Sequence, residues 1–426
     1  MDRKRIVLKI RNILKPLKWF YPGMKVKRWL LLSFIGVILI VAGGQFLSGP
    51  TAVFRMVGII YMFFGIAIIF FGVRRIVASF ITIFLPRREQ ELVDIVYQKR
   101  HLSKGYRIAV IGGGTGLSVL LHGLKRYTSN ISAIVTVADE GGSSGKLRED
   151  FGILPPGDIR NCLVALADTE PLMSDLFQYR FSESSALKGH SFGNIFLLAM
   201  SKVTKDFEEA VKESSKILAI RGEVIPSTLE RIRLIAELED GSKELGETHI
   251  SKSPKPIKRI SLIPARCAAT NSAIEAIKTA EVIIFGPGSL YTSIMPNLLV
   301  DGICESISES GAIKIYICNV MTQPGETDNY SASDHIKALL SNTKIGPIDY
   351  AIVNNATPPQ ELLSKYGRQK AYPVKPDTDN IKSIGITAVE DNVIDARDYV
   401  RHNPYRLAKV IVDIISIAKT EAVHES

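Results

Sequence analysis

Metal-ligand spacing is missing from these 426 residues. The four cysteines, Cys162, Cys267, Cys304 and Cys318, form no C-x-x-C pair, and the seven histidines do not cluster. That argues against a structural zinc site and against a disulfide framework, and leaves the thiols as small core residues of a reducing compartment. Acidic residues are scarce at the N-terminus: positions 1–104 hold 18 Lys/Arg against 4 Asp/Glu, whereas the remainder holds 35 against 39. The net charge of +10 therefore belongs to the first quarter of the chain, and no nucleic-acid-binding body is implied. Internal repeats and low-complexity tracts are also lacking.

Charge nearly vanishes between residues 30 and 72, where only Arg55 carries one. Two apolar runs, 29–47 and 56–73, flank a Ser48-Gly49-Pro50-Thr51 turn. As helices each would span roughly 27–28 Å, about one bilayer core. Ten Lys/Arg precede the first run, and Arg74, Arg75, Arg87 and Arg88 follow the second. The positive-inside rule then predicts a transmembrane helical hairpin in the cell membrane, with both termini and the main domain in the cytoplasm. A cleaved signal peptide fits less well, since its apolar region is shorter and no second span follows it. Gly36, Gly43, Gly44, Gly58, Gly65 and Gly72 suit close helix packing in lipid. The expected organisation is a basic tail over 1–28, the hairpin over 29–75, a juxtamembrane connector over 76–104 and a body over 105–420. Within the connector, 80–86 reads as interfacial and 87–100 as a charged helix.

The body opens with an apolar strand at 108–111, the loop Gly112-Gly113-Gly114-Thr115-Gly116, a helix-like run at 117–127 and a second strand at 131–137. That is the length of one βαβ unit. Glycines allow close approach of a phosphate to the backbone, and the helix start offers unpaired N–H groups. Apolar runs at 282–285, 314–318 and 350–353 likewise end in small or polar residues. Such runs alternating with helices predict an α/β fold, a Rossmann-like parallel sheet with helices on both faces, whose ligands bind beyond the strand carboxyl ends. The stretch 157–280 reads as an insertion. It holds helices at 158–168 and 207–220, a loop at 189–193, and a hairpin of 231–239 with 244–251 around Asp240-Gly241. Asn403-Pro404 should start a final helix, with Asn as its cap.

Several loops carry phosphate-binding chemistry. Leu117 stands where the full G-x-G-x-x-G fingerprint needs its third glycine, yet Asp139 at the second strand's end could bind a ribose hydroxyl. The segment 140–148 is not a P-loop, because Glu140 and Leu147 replace a required glycine and Ser/Thr. Gly142, Ser143 and Ser144 still suit a second phosphate-contacting or lid loop. Asp158 reads as a helix N-cap, with Arg160 and Asn161 in the first turn and Arg160 placed to clamp a pyrophosphate. His190, Ser191 and Asn194 surround two glycines, with no acidic partner that would make His190 a general base. Gly286, Gly288 and Ser289, with Thr292, repeat the strand-to-glycine-loop logic, while Tyr291 could stack or hydrogen-bond. The polar run 319–330, ending at Tyr330, follows the next strand.

Together, IGGGTGLSVLLHGLK, TVADEGGSSGKLR, PPGDIRN, GHSFGN, FGPGSLYTSIMPNLLV and CNVMTQPGETDNYSASDH resemble the bacterial gluconeogenesis factor family, within the superfamily that includes 2-phospho-L-lactate transferase. The resemblance covers most of 105–370. It implies a Rossmann-like sheet that binds UDP-sugars, UDP-N-acetylglucosamine in particular, and a role in cell shape and wall-precursor balance during gluconeogenic growth. By position it implies Gly113, Gly114, Thr115 and Gly116 as the first phosphate loop, Asp139 as the acidic strand end, and Asn194, Tyr291, Tyr330 and Arg368 as later contacts. Three features depart from the family pattern: Glu140 replaces a second Asp, Lys146 replaces an Arg, and the hairpin is missing from many relatives.

The expected function is a membrane-anchored, cytosol-facing UDP-sugar-binding regulatory protein, homo-oligomeric, with a regulatory protein partner and no required cofactor. The alternative is a transferase in which Asp139, Glu140 and Asp158 hold Mg2+. A nicotinamide-dependent oxidoreductase ranks third, resting on the glycine loop alone.

Overall fold

A computed structural model describes residues 26–84, 100–168, 171–182, 187–253 and 255–425. Most of the basic tail and connector, including the interfacial 85–86 and the charged 87–99, lies outside the described residues. The chain divides into two compact units, 1–98 and 99–426.

The first unit is a helical hairpin of Val26–Leu47 and Ala52–Phe84. Both helices are long and apolar enough to cross a membrane, over Arg28–Leu47 and Ala52–Ser79. The second extends past the expected end at residue 73, because nothing in Arg74, Arg75 or the apolar residues after them breaks a helix. Leu31, Phe34, Val53, Phe63 and Phe70 are largely exposed, as lipid-facing side chains would be. The helices meet through glycine. A Cβ on Gly36 would lie 2.8 Å from the Gly65 carbonyl oxygen, and one on Gly43 the same distance from that of Gly58. Gly44, one residue away, faces open space.

The second unit contains strands β1 (Ile108–Gly112), β2 (Ile131–Val135), β3 (Glu223–Pro226), β4 (Arg233–Leu238), β5 (Lys243–Leu245), β6 (Ile257–Ile263), β7 (Val282–Phe285), β8 (Ile313–Ile317), β9 (Tyr350–Asn354), β10 (Thr387–Asp391), β11 (Ile394–Asp395) and β12 (Arg401–His402). Seven form one sheet in the order β10-β9-β8-β7-β1-β2-β3, with every neighbouring pair parallel. Helices surround it, giving the expected Rossmann-like α/β fold. Residues of β1 and β7 are almost wholly buried, as expected for strands covered on both faces. The chain builds outward from β1 to β3, then returns to place β7 on the other side of β1. The topological switch point thus lies between β1 and β7.

Several local expectations change. Strands β3 and β10 were not expected: β3 is four residues ending in Pro226, too short for a periodic signal, and β10 buries none of its residues fully and shows no alternation. The small antiparallel sheet, β5-β4-β6, keeps the hairpin at Asp240-Gly241, but its second strand stops at Leu245 and Glu247–Ile250 is helical. The segment expected as a loop around Gly142–Ser144 is the start of helix Gly142–Phe151. The loop at 189–193 ends earlier, with helix Phe192–Thr204 capped by the Ser191 side chain. Helix Gly157–Leu166 has Pro156 at its N-cap, and Asp158 lies inside the first turn rather than capping it. The final helix, Pro404–Glu425, starts as expected, with Asn403 Oδ1 accepting from the Tyr405 and Arg406 N–H groups at 3.0 and 3.1 Å.

Candidate functional site

Strand β1 ends in Gly112, and the chain turns through Gly113 and Gly114 into helix Gly114–Leu124. Gly113 has no room for a side chain, because its Cβ would lie 2.7 Å from both Asp158 Oδ2 and Thr136 Cγ2. Gly114 adopts φ +67°, which penalises any L side chain. Gly116 packs against the second glycine loop: its Cβ would lie 2.6 Å from the Pro287 carbonyl oxygen. The loops after β1 and β7 therefore touch across the switch point.

Buried and half-buried side chains hold both loops. Asn297 Nδ2 donates to the Gly112 and Ser293 carbonyls at 3.1 and 2.8 Å. Asn319, just past β8, brackets Gly288, donating to its carbonyl at 2.8 Å and accepting its N–H at 3.3 Å. Gln323 Nε2 donates to Ser289 Oγ at 2.6 Å, and Thr292 Oγ1 donates to Glu326 Oε1 at 3.0 Å.

A cavity of about 600 Å³ opens over these loops. Gly113, Gly114, Thr115, Gly116, Gly288 and Ser289 form its floor. Asp139, Asp158 and Glu247 form an acidic wall, and Asn319, Gln323, Tyr366, Tyr399, Arg401 and His402 also line the cavity. Further depressions of similar size lie where β1, β2 and β3 begin, at Ile108, Ile131 and Glu223, away from the glycine loops. In a parallel α/β sheet the carboxyl end is the binding end, so chemistry assigns the first cavity.

The acidic wall is electrostatically strained. Burial, and next the Asp139 charge, push the Asp158 carboxyl up to about 7, while the Gly114 N–H it accepts and Arg160 pull it back. Glu247 is raised for the same leading reasons. Burial raises Glu326, behind the wall, to about 7. Elsewhere on the lining, burial lowers His402 to about 4, so its ring is neutral near pH 7, and its Nε2 has no hydrogen-bond partner.

Not every residue singled out from the sequence reaches this cavity. Arg160 does not line it as a pyrophosphate clamp would: the guanidinium is buried against Ser191, Asn194 and Asn161. Ser143 and His190 belong to the same network, joined at 3.0 Å, with Gly142 and Ser144 in the adjoining helix start. Tyr291 is buried and shares a 2.9 Å hydroxyl contact with Tyr330, and neither lines the cavity. Gly286 sits at φ +80° under the second loop. Arg368 is exposed at the C-terminal end of helix Gln360–Gly367, whereas its neighbour Tyr366 faces the cavity.

The trio Asp139, Glu140 and Asp158 is not gathered into one set. Glu140 is held by Arg233 at 2.7 Å and faces Arg148 at 3.9 Å, while Glu247 joins the other two at the cavity. Among the described residues, no three His, Cys, Asp or Glu side chains are arranged to hold a metal ion. The residues that sequence reasoning missed, Glu247, Tyr366, Tyr399, Arg401 and His402, lie far from the glycine loops in sequence. None sits in a motif of its own.

Residues 108–394 match the family model described as 2-phospho-L-lactate transferase CofD. A gluconeogenesis factor from Bacillus subtilis is 49% identical over 310 residues, covering 72% of this chain and 98% of that protein. A Nostoc sp. protein also named as a gluconeogenesis factor is 47% identical over 419 residues, covering 93% of this chain and 91% of its own length. That alignment therefore extends into the N-terminal unit. A crystal structure of a Bacillus halodurans protein, described as a member of the UPF0052 family, superposes with a TM-score of 0.70 at 47% identity, over 72% of this chain and 99% of that one. The chain belongs to the gluconeogenesis factor family, within the superfamily of 2-phospho-L-lactate transferase CofD.

Proposed function

We propose that the body binds a UDP-sugar, UDP-N-acetylglucosamine foremost, and acts as a membrane-anchored regulatory protein balancing wall precursors, and hence cell shape, during gluconeogenic growth. The observation that carries the reading is the contact of two glycine loops at the switch point of a parallel sheet. Their backbone N–H groups and the Thr115 and Ser289 hydroxyls suit a diphosphate. The cavity of about 600 Å³ suits a nucleotide-sized ligand, and Tyr366, Tyr399 and His402 offer flat and polar surfaces for its base or sugar. The paired apolar helices and basic flanks support anchoring with the body in the cytoplasm.

Calorimetric titration with UDP-N-acetylglucosamine, with and without Mg2+ and beside GTP and NADPH, tests this reading. Saturable UDP-sugar binding that Gly114→Asp abolishes in a folded protein is the expected result. Silence with the UDP-sugar and binding of GTP or NADPH would overturn it. A second reading, a transferase on a nucleotide diphosphate-linked substrate, draws on Asp139, Asp158 and Glu247 facing the same cavity. Its mark is a second product that accumulates only with Mg2+.

A further inference from the structure

Arg160 is only 6% exposed, yet no ion pair among the described residues includes it. Nη1 donates to Ser191 Oγ and, at 2.9 Å, to Asn194 Oδ1; Nη2 donates to Asn161 Oδ1 at 2.7 Å. Nε has no partner at all. A guanidinium taken out of water with only neutral acceptors loses more solvation than those bonds restore. Asp158 and Asp139 act on it through space, but Asp158 accepts the Gly114 N–H and Asp139 Oδ1 the Gly141 N–H.

The surroundings add positive potential. Arg180 is bridged through its backbone to Ser191, whose hydroxyl Arg160 bonds, and donates from Nη1 to the Gly189 carbonyl at 3.2 Å; after burial, its charge is the main influence lowering Arg160. Ser143 Oγ accepts from Asn194 Nδ2 at 3.0 Å and meets His190 Nδ1 at the same distance. Helices Gly142–Phe151 and Gly157–Leu166 start nearby with no side-chain cap on their N-terminal amides. Gly193 leaves space for the arginine, since a Cβ there would lie 2.7 Å from Arg160 Cδ.

We propose that Arg160, Arg180, Ser143 and His190 form a second anion subsite, near Asp139 and Asp158, that takes a phosphate group not belonging to the nucleotide. Two guanidinium charges beside two uncapped helix starts favour a doubly charged phosphate over a singly charged carboxylate. The group comes from free phosphate or from a phosphate monoester. The subsite extends the nucleotide-sugar reading and rests on it only for the identity of the neighbouring ligand.

The test is equilibrium dialysis of the full chain in detergent micelles with radiolabelled inorganic phosphate and saturating UDP-N-acetylglucosamine, which blocks the glycine loops. One phosphate per chain is expected to remain. Arg160→Gln and Arg180→Ala should each weaken it by about tenfold or more, with UDP-N-acetylglucosamine affinity of the Arg180 variant within about twofold of the parent. Arg180 is exposed, so its variant decides the matter where Arg160→Gln fails to fold. Glycerol phosphate displacing the label at lower concentration than phosphate itself identifies a monoester, and the reverse order identifies free phosphate. No phosphate retained beside the nucleotide, or unchanged retention in Arg180→Ala, overturns the proposal. Should UDP-N-acetylglucosamine not bind, the nucleotide reading fails and Gly114→Asp serves in its place. Phosphate retained by that variant and lost on adding Arg180→Ala supports the subsite, whereas loss in Gly114→Asp alone refutes it.

Discussion

Gly116 is where the two glycine loops meet, so Gly116→Ala perturbs the site without adding charge or polarity. The new methyl would lie 2.6 Å from the Pro287 carbonyl oxygen, 2.9 Å from its carbon and 3.2 Å from Gly288 Cα. Ordinary contact begins near 3.4 Å, so the loops must part by most of an ångström, and both neighbours are backbone. Asn319 and Asn297 pin those loops from behind, so the shift cannot be absorbed by a rotamer change. Overpacking of this kind costs about 1–3 kcal/mol, a melting shift of a few degrees for a domain of this size. The larger effect falls on binding. An ångström of misplacement in the phosphate-contacting loop weakens recognition by roughly ten- to a hundredfold. Gly311→Ala is the control, since nothing lies within 4 Å of its Cβ and its φ is not positive. Thermal unfolding with calorimetric titration of UDP-N-acetylglucosamine reads both effects. Melting within a degree of the parent, with unchanged affinity, would show that the loop contact does not shape the site and would refute the reasoning.

Other perturbations bear on the same architecture. Asp158 titrates near 7 in the folded protein and near 3.8 when unfolded, so between those values the folded state binds more protons. Its share of stability should therefore fall as pH rises from about 4 to about 7, by up to about 4 kcal/mol; in Asp158→Asn, the difference between denaturant melts at pH 5 and pH 8 should shrink, with the remainder set by Glu247 and Glu326. His402 runs the other way: its folded value near 4 lies below the ordinary 6.5, so its stabilising effect is fully present above about 6.5 and fades as pH drops toward 4. NMR of its ring should show neutral imidazole at pH 5, and a charged ring there would contradict its burial. In the hairpin, Gly43→Leu and Gly58→Leu should lower the thermal stability of the detergent-solubilised chain, because each Cβ would meet the opposite backbone oxygen within 2.8 Å. Gly44→Leu, facing open space, should not, and equal losses in all three would rule out a glycine-mediated contact.

How much of this was legible beforehand depended on how local each signal was. The loop at 112–116 could be read because strand, glycines and helix are contiguous, and the structure places all three as expected. Helix Pro404–Glu425 announced itself through an Asn-Pro start. By contrast, glycine and serine at 142–145 looked like a loop. Their conformation was decided by packing: Ser143 and Ser144 are buried in the first turn of a helix, and the Cβ of Gly145 would press on the Glu140 backbone. The Glu247 stretch read as a strand by alternation, yet the chain turns at Gly246, with φ +89°, and brings that carboxylate to the cavity instead.

The sequence by itself determined the two apolar helices, the parallel α/β body and the glycine loop after β1. Each rests on residues adjacent in the chain, whose hydrophobic period and backbone freedom act locally. Only the tertiary structure decided which loops form one site. The return of the chain to lay β7 beside β1 brings Gly116 against Pro287. Long-range pairing likewise turns Glu140 to Arg233, sends Glu247 to the cavity, and buries Arg160 among neutral partners. A side chain's type is written in the sequence, but its counter-charge and its exposure to water are set by residues up to hundreds of positions away.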